Sequence, residues 1–337
     1  MRHAPIIAAC LFLTSCSFRS ADTIIVGSKN FTEQVILAEL LAQHVEDTTR
    51  VKVERRFYLG GTYICQQSLL AGRIDAYVEY TGTALAAILK QRPGRSPEEV
   101  YNQVEREFAK RYKLAVMKPL GFNNTFAIVI RGEEALRLRV HTLSQAAKYT
   151  PSWRAAFGYE FMDRADGYTG LVRTYGLKFA APPLLMDLGL LYRALISRQV
   201  DLIAGNSTDG QIQAYHLAIL QDDRRYFPPY QAVPIVREST LGRYPVLRRS
   251  IDALAGAISD AEMRQMNYQV VGQHKDVTQV VREFLAAKHL NTITGRFAVP
   301  PLPQAGKGGR SGCGQPTASR GYDYRPISGP RTTIYRA

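Results

Sequence analysis

Two stretches decide the architecture: LLAGRIDAYVEYTGT, residues 69–83, and LISRQVDLIAGNSTD, residues 195–209. Set one above the other, they follow the same plan. Each begins with the apolar end of a helix, turns, and enters an apolar run at Ile74 or Val200. Each carries an aspartate at the next position, Asp75 or Asp201. Each run then breaks into a polar corner. The first is Glu79-Tyr80-Thr81-Gly82-Thr83 and the second Asn206-Ser207-Thr208-Asp209, so Tyr80 falls opposite Asn206 and Thr83 opposite Asp209. The match predicts two lobes of similar design, each presenting a strand-end corner to a shared cleft. Domain interfaces are favoured places for small-ligand sites.

The surrounding pattern agrees. Thr23–Gly27 reads as a first strand, followed by apolar residues at helical spacing from Val35 to Leu41. Asn30 and Glu33 fit a capping-box start for that helix. Lys29 is then placed in a tight strand-to-helix loop, either beside backbone N–H groups that favour an anion or facing solvent as an ordinary loop lysine. Val51–Tyr58 and Ile74–Val78 are further strands. Helices are expected over Ala84–Lys90 and Pro97–Tyr112, the latter opened by Ser96-Pro97. Strand and helix alternate, which predicts an α/β fold with largely parallel sheets and a ligand beyond the carboxyl ends of the strands. The chain is expected to cross between lobes near 122 and near 226. Residues 22–122 and 227–302 then form lobe 1 and residues 123–226 lobe 2. Two crossing segments make a hinge.

Bulk properties set limits. A chain of 337 residues with 46% hydrophobic content has material for two lobes and a real core. The formal charge of +14 is scattered, part of it in a basic tail, so nucleic-acid binding is not expected. Residues 1–21 read as an export leader: Arg2 and His3, then an apolar Ala4–Leu13 too short to span a bilayer. Leu13-Thr14-Ser15-Cys16 resembles the bacterial lipobox, which makes Cys16 a candidate lipidation site and a plain secretory signal the alternative. The expected location is the periplasm or cell-envelope exterior, held to a membrane by a lipid anchor only. Residues 303–337, rich in Gly, Pro, Ser and Arg, read as a flexible tail. No disulfide is expected of Cys65 and Cys313, no Cys/His spacing suits zinc, and Cys65 reads as a buried structural thiol.

Taken in order, IIVGSKNFTEQ (24–34), GGTYICQQSLLAGRIDAYVEYTGTAL (60–85), GFNNTFAI (121–128), FGYEFMDRADG (157–167), DLIAGNSTDGQI (201–212) and DDRRYFPPY (222–230) carry a resemblance. The chain resembles the substrate-binding proteins of ABC importers for quaternary ammonium osmoprotectants. The resemblance implies a two-lobed periplasmic-binding-protein fold of type II, with ligand in the inter-lobe cleft. It also implies a permease with its ATPase subunit as partner, a monomer, and no cofactor or metal.

The ligand's chemistry fits this set of residues. A trimethylammonium head spreads its charge and has no N–H, so aromatic faces hold it, at about 0.5–2 kcal/mol per ring. A betaine's carboxylate calls for cationic and hydroxyl donors. The resemblance assigns Tyr80, Phe126 and Tyr230 to an aromatic cage, Lys29, Thr83 and Arg164 to a carboxylate clamp, and Asn124 to a polar position near the head group. It also implies an aromatic residue where Asn206 stands, and Asn206 and Asp209, at the second strand-end corner, complete the nine expected ligand-binding residues. A larger or more polar ligand, such as carnitine or a trimethylated histidine, therefore competes with glycine betaine and choline.

Each assignment has a plainer alternative: strand core for Phe126, an ion pair with Asp163 or Asp166 for Arg164, and hinge packing for Tyr230. Cys65, Glu79 and Asp209 are the groups near the cleft that an enzyme would use, but no triad spacing or metal pattern accompanies them. There is no phosphate-binding loop of the G-x-x-x-x-G-K-[ST] kind. A sensor without an output domain is the remaining alternative.

Overall fold

The computed structural model describes residues 23–91 and 96–291. The leader with Cys16, Cys313 and the 303–337 tail lie outside the described residues.

Among the described residues, ten strands form two five-stranded sheets. They are β1 (Thr23–Lys29), β2 (Lys52–Gly60), β3 (Ala76–Tyr80), β4 (Leu114–Val116), β5 (Phe126–Arg131), β6 (Ala155–Phe157), β7 (Leu184–Leu185), β8 (Leu202–Asn206), β9 (Leu217–Leu220) and β10 (Ala232–Arg237). The first sheet runs β2-β1-β3-β10-β4 and the second β7-β6-β8-β5-β9. Position for position, the two orders correspond.

The sheets are mixed, which corrects the expectation of largely parallel pairing. β1 pairs parallel with β2 and β3, as β6 does with β7 and β8. β10 and β5, however, run antiparallel to both neighbours. The reason lies in the path of the chain. β5 is the first strand reached after the crossing into the second lobe, and β10 the first after the crossing back. Both enter their sheet at the cleft edge, where β3 and β8 end.

Strand residues alternate between two cores. In β3, Ala76, Val78 and Tyr80 face one cluster while Tyr77 faces the other. In β5, Ile128 and Ile130 face one and Ala127 and Val129 the other. Each sheet is therefore buried on both sides by helices, as expected of strands with near-continuous apolar runs.

The internal echo is structural. Asp75 Oδ2 accepts a hydrogen bond from Ile25 N at 2.7 Å and its other oxygen lies 3.8 Å from Arg237 Nη1. Asp201 Oδ2 accepts from Arg154 N at 2.9 Å, and its Oδ1 pairs with Arg131 Nη2 at 2.8 Å. Arg131 ends β5 and Arg237 ends β10. In each lobe one aspartate ties the start of one strand to the end of another.

Two segments cross between the sheets side by side. Asn123 bridges Gln231 antiparallel, Asn124 N donates to Tyr230 O at 3.1 Å, and Tyr230 N donates to Asn123 Oδ1 at 2.6 Å.

Several local expectations shift. β2 and β3 run two residues further than predicted at their C-terminal ends, so the Glu79-Tyr80 corner begins inside the strand. Pro97–Tyr112 forms as expected, with a full capping box between Ser96 and Glu99. The residues from Ala84 to Ile88 make a wide π-helical turn, a geometry that recurs at functional sites. The Asn30–Glu33 capping box does not form. The helix is Thr32–Thr48 with Phe31 at its N-cap and no side-chain cap, because Glu33 is drawn into the interior instead. Lys29 is likewise not in a loop: it ends β1 and is buried.

Candidate functional site

A cavity of about 250 Å³ lies between the two sheets. From the first lobe it is lined by Lys29, Phe31, Thr62, Tyr80, Thr83 and Tyr230; from the second by Asn124, Phe126, Tyr159, Glu160, Phe161, Arg164, Leu188 and Asn206. Eight of the nine ligand-binding residues expected from the sequence meet there. Asp209 is the exception; it lines an adjoining chamber that Asn206 also borders.

The aromatic wall is built where strands end. Tyr80 is the last residue of β3, Phe126 the first of β5, and Tyr230 stands just before β10. Phe126 and Tyr230 meet edge to face, ring centroids 5.7 Å apart. Phe126 also packs on Phe161 at 4.9 Å and Phe227 at 5.7 Å. Gly82 makes this wall possible: a Cβ there would sit 2.6 Å from Pro229 O and 2.7 Å from the Tyr230 ring.

Two buried ion pairs flank the rings. Lys29 Nζ pairs with Glu79, donates to Thr62 Oγ1 at 3.1 Å, and lies 4.9 Å from the Tyr80 ring centroid. Glu79 is completely buried and accepts further from Tyr77 OH and Tyr80 N. Arg164 forms a two-pronged pair with Asp166 at 2.8 and 2.5 Å and donates to Thr83 Oγ1 at 3.0 Å. It also lies 4.9 Å from the Phe126 ring centroid. The Arg164–Asp166 alternative thus holds, but as a buried pair in the cavity wall. Tyr230 OH donates to Asp166 Oδ2 at 2.5 Å.

Each cation has its own carboxylate, so neither is a bare positive charge. Of the three N–H groups of a lysine and five of an arginine, the bonds to described residues leave one on Lys29 and two on Arg164. Asn124 donates Nδ2 to Glu33 and leaves its buried Oδ1 without a partner among the described residues.

Sequence reasoning missed Glu33, read only as a helix cap. Its carboxyl collects four side-chain donors: Tyr80 OH at 2.6 Å, Asn124 Nδ2 at 2.7 Å, Thr208 Oγ1 at 2.5 Å and Asn267 Nδ2 at 2.8 Å. Thr208 comes from the second lobe, so Glu33 joins the lobes. Burial raises its pKa to about 7, against the lowering effect of its donors, and Asp209 raises it further. Glu160 was also missed. Its Oε1 accepts from Thr62 N at 2.9 Å across the cleft. The signal for both was weak: an acid at a helix start resembles an ordinary cap, and only the fold brings the distant donors together.

Cys65 is fully buried, and burial pushes its thiol up to about 12. At neutral pH it is protonated and is not an activated nucleophile. No helix among the described residues is long and apolar enough to cross a membrane.

Comparison with known proteins adds to this geometry. Residues 22–287 match the family model described as the substrate binding domain of the ABC-type glycine betaine transport system. A carnitine transport binding protein of Listeria monocytogenes is 34% identical over 287 residues, 83% of this chain and 93% of that protein. An ergothioneine transport permease/ergothioneine binding protein of Helicobacter pylori is 30% identical over 281 residues, which cover 83% of this chain and 50% of that longer protein. The crystal structure of a glycine betaine/carnitine/choline ABC transporter protein superposes with a TM-score of 0.68 at 32% identity. The match covers 80% of this chain and 99% of that one.

Proposed function

This chain belongs to the family of substrate-binding domains of ABC-type glycine betaine transport systems, and from that premise we propose that its inter-lobe cavity encloses a quaternary ammonium compound for delivery to an ABC permease. A betaine-like zwitterion is the first choice of ligand and choline the second. One observation carries the reading: Tyr80, Phe126 and Tyr230, widely separated in sequence, line one cavity beside Lys29, Thr83 and Arg164. The ring faces suit a methylated cation that no hydrogen-bond acceptor holds well. The unspent N–H groups of Lys29 and Arg164 suit a carboxylate at its other end. Asn124 Oδ1 supplies a partial negative charge near the head group.

The lobes divide in this reading at the crossing segments near 122 and 226. The Glu33–Thr208, Thr83–Arg164 and Thr62–Glu160 contacts hold them together when the cleft is shut. The protein acts as a monomer outside the cytoplasmic membrane, tethered through Cys16, and catalyses no reaction. A thermal-shift screen of the mature protein against quaternary amines tests this, because a ligand that binds the folded state raises the melting temperature. Glycine betaine or choline should raise it, and Tyr80→Ala should reduce the shift. A screen in which no trimethylammonium compound stabilises the protein contradicts the reading.

A further inference from the structure

The internal repeat breaks beside the cleft. In the register that sets Tyr80 opposite Asn206, the nine-residue helix Thr62–Leu70 stands opposite the nine-residue helix Leu188–Ile196. Gly61 then falls opposite Asp187. Both residues are N-caps, and both line the main cavity. The amide groups of a helix's first turn have no partner within the helix. Asp187 serves its own helix, with Oδ1 accepting from Gly189 N at 2.9 Å. Gly61 has no side chain to do the same, and the helix it begins has no cap of its own.

The missing acceptor comes from the other lobe. Glu160 Oε1 accepts from Thr62 N at 2.9 Å, and Thr62 is only 1% exposed. The glycine leaves room for this, since a Cβ on Gly61 would lie 2.0 Å from that same oxygen. A carboxylate at this position also meets the positive end of the helix dipole. Each end of the contact is tied to one of the cavity's cations. Thr62 Oγ1 accepts from Lys29 Nζ at 3.1 Å. Glu160 lies in the short helix Tyr159–Asp163, and its backbone carbonyl accepts from Arg164 N at 3.1 Å.

Resting on the functional reading above, we propose that Glu160 is a positioning residue that latches the closed cleft: a helix cap supplied across the lobes, which strengthens the binding of every ligand alike without touching any. When the lobes part, Thr62 N turns to water. When they close, it gains a charged acceptor, and Lys29 and Arg164 come into place together. Choice among ligands stays with the rings and the clamp, while Glu160 sets how long the cleft stays shut.

Calorimetry and stopped-flow kinetics on the full mature chain, with glycine betaine and with choline, test this. Glu160→Ala should weaken both by the same factor, on the order of tenfold, chiefly through faster release. Glu160→Gln, which keeps an oxygen acceptor without the charge, should recover part of the loss. A direct contact with the shared trimethylammonium group would also weaken both ligands equally, so the deciding comparison uses Gly61→Asp, which gives the helix a cap of its own. In that background Glu160→Ala should change affinity by less than about twofold. An undiminished loss there, or no loss in the otherwise unaltered protein, overturns the proposal. Where Gly61→Asp or the unaltered chain binds neither compound, amide exchange at Thr62 in the ligand-free protein decides. Exchange several-fold faster in Glu160→Ala supports the latch, and equal rates overturn it. Absence of binding by the unaltered chain is the failure of the functional reading, a result distinct from these.

Discussion

At the scale of single residues, Glu33 and Lys29 show how burial changes what a charged group does. Glu33 has four donors suited to a carboxylate, yet loss of solvent outweighs them and raises its pKa to about 7. The folded value lies above the unfolded one, near 4.5. The contribution of Glu33 to stability is therefore fully present below about pH 4.5 and is lost as pH rises toward 7. The difference is on the order of 3 kcal/mol. Urea denaturation across pH 4.5–7.5 should show this decline in the unaltered protein and a much flatter profile in Glu33→Gln; parallel profiles would mean that Glu33 titrates normally. Lys29 is held by Glu79 and Thr62 and retains one N–H for a ligand. Lys29→Ala should weaken betaine more than choline, because choline has no carboxylate to lose a donor. Titration calorimetry giving equal losses for both would remove Lys29 from the clamp.

At the scale of elements, the strand ends carry the site, and this is where the sequence was most and least legible. The repeat of 69–83 in 195–209 announced two β-strands ending in polar corners, and β3 and β8 end at Tyr80 and Asn206. Ser96-Pro97 announced its helix because capping is a local interaction. The reversed directions of β5 and β10 were not legible, since they follow from how the chain crosses between lobes and no local pattern encodes that. Glu33 was misread for the same reason: Thr208 and Asn267, which satisfy it, lie far away in the chain. The turn after β3 depends on Gly82, which packs against Tyr230. Gly82→Ala should displace that ring and weaken ligand binding by about tenfold or more while costing about 1–3 kcal/mol of stability. Calorimetry and thermal melting check the two effects separately, and unchanged affinity would mean that the Tyr230 ring is not part of the cage.

At the scale of the whole molecule, two similar lobes face each other across a cavity lined by rings and by the paired charges that lie beside those rings. Fold alone does not give function; the assignment rests on what the cavity wall can hold. The central claim is that the rings of Tyr80, Phe126 and Tyr230 bind a positive charge and not merely an apolar shape. Isothermal titration with glycine betaine and with 3,3-dimethylbutanoate, which keeps the shape and carboxylate but has carbon in place of nitrogen, separates the two. With three rings contributing about 0.5–2 kcal/mol each, glycine betaine should bind on the order of a hundredfold more tightly than its carbon analogue. Equal affinities, or tighter binding of the analogue, would contradict the account.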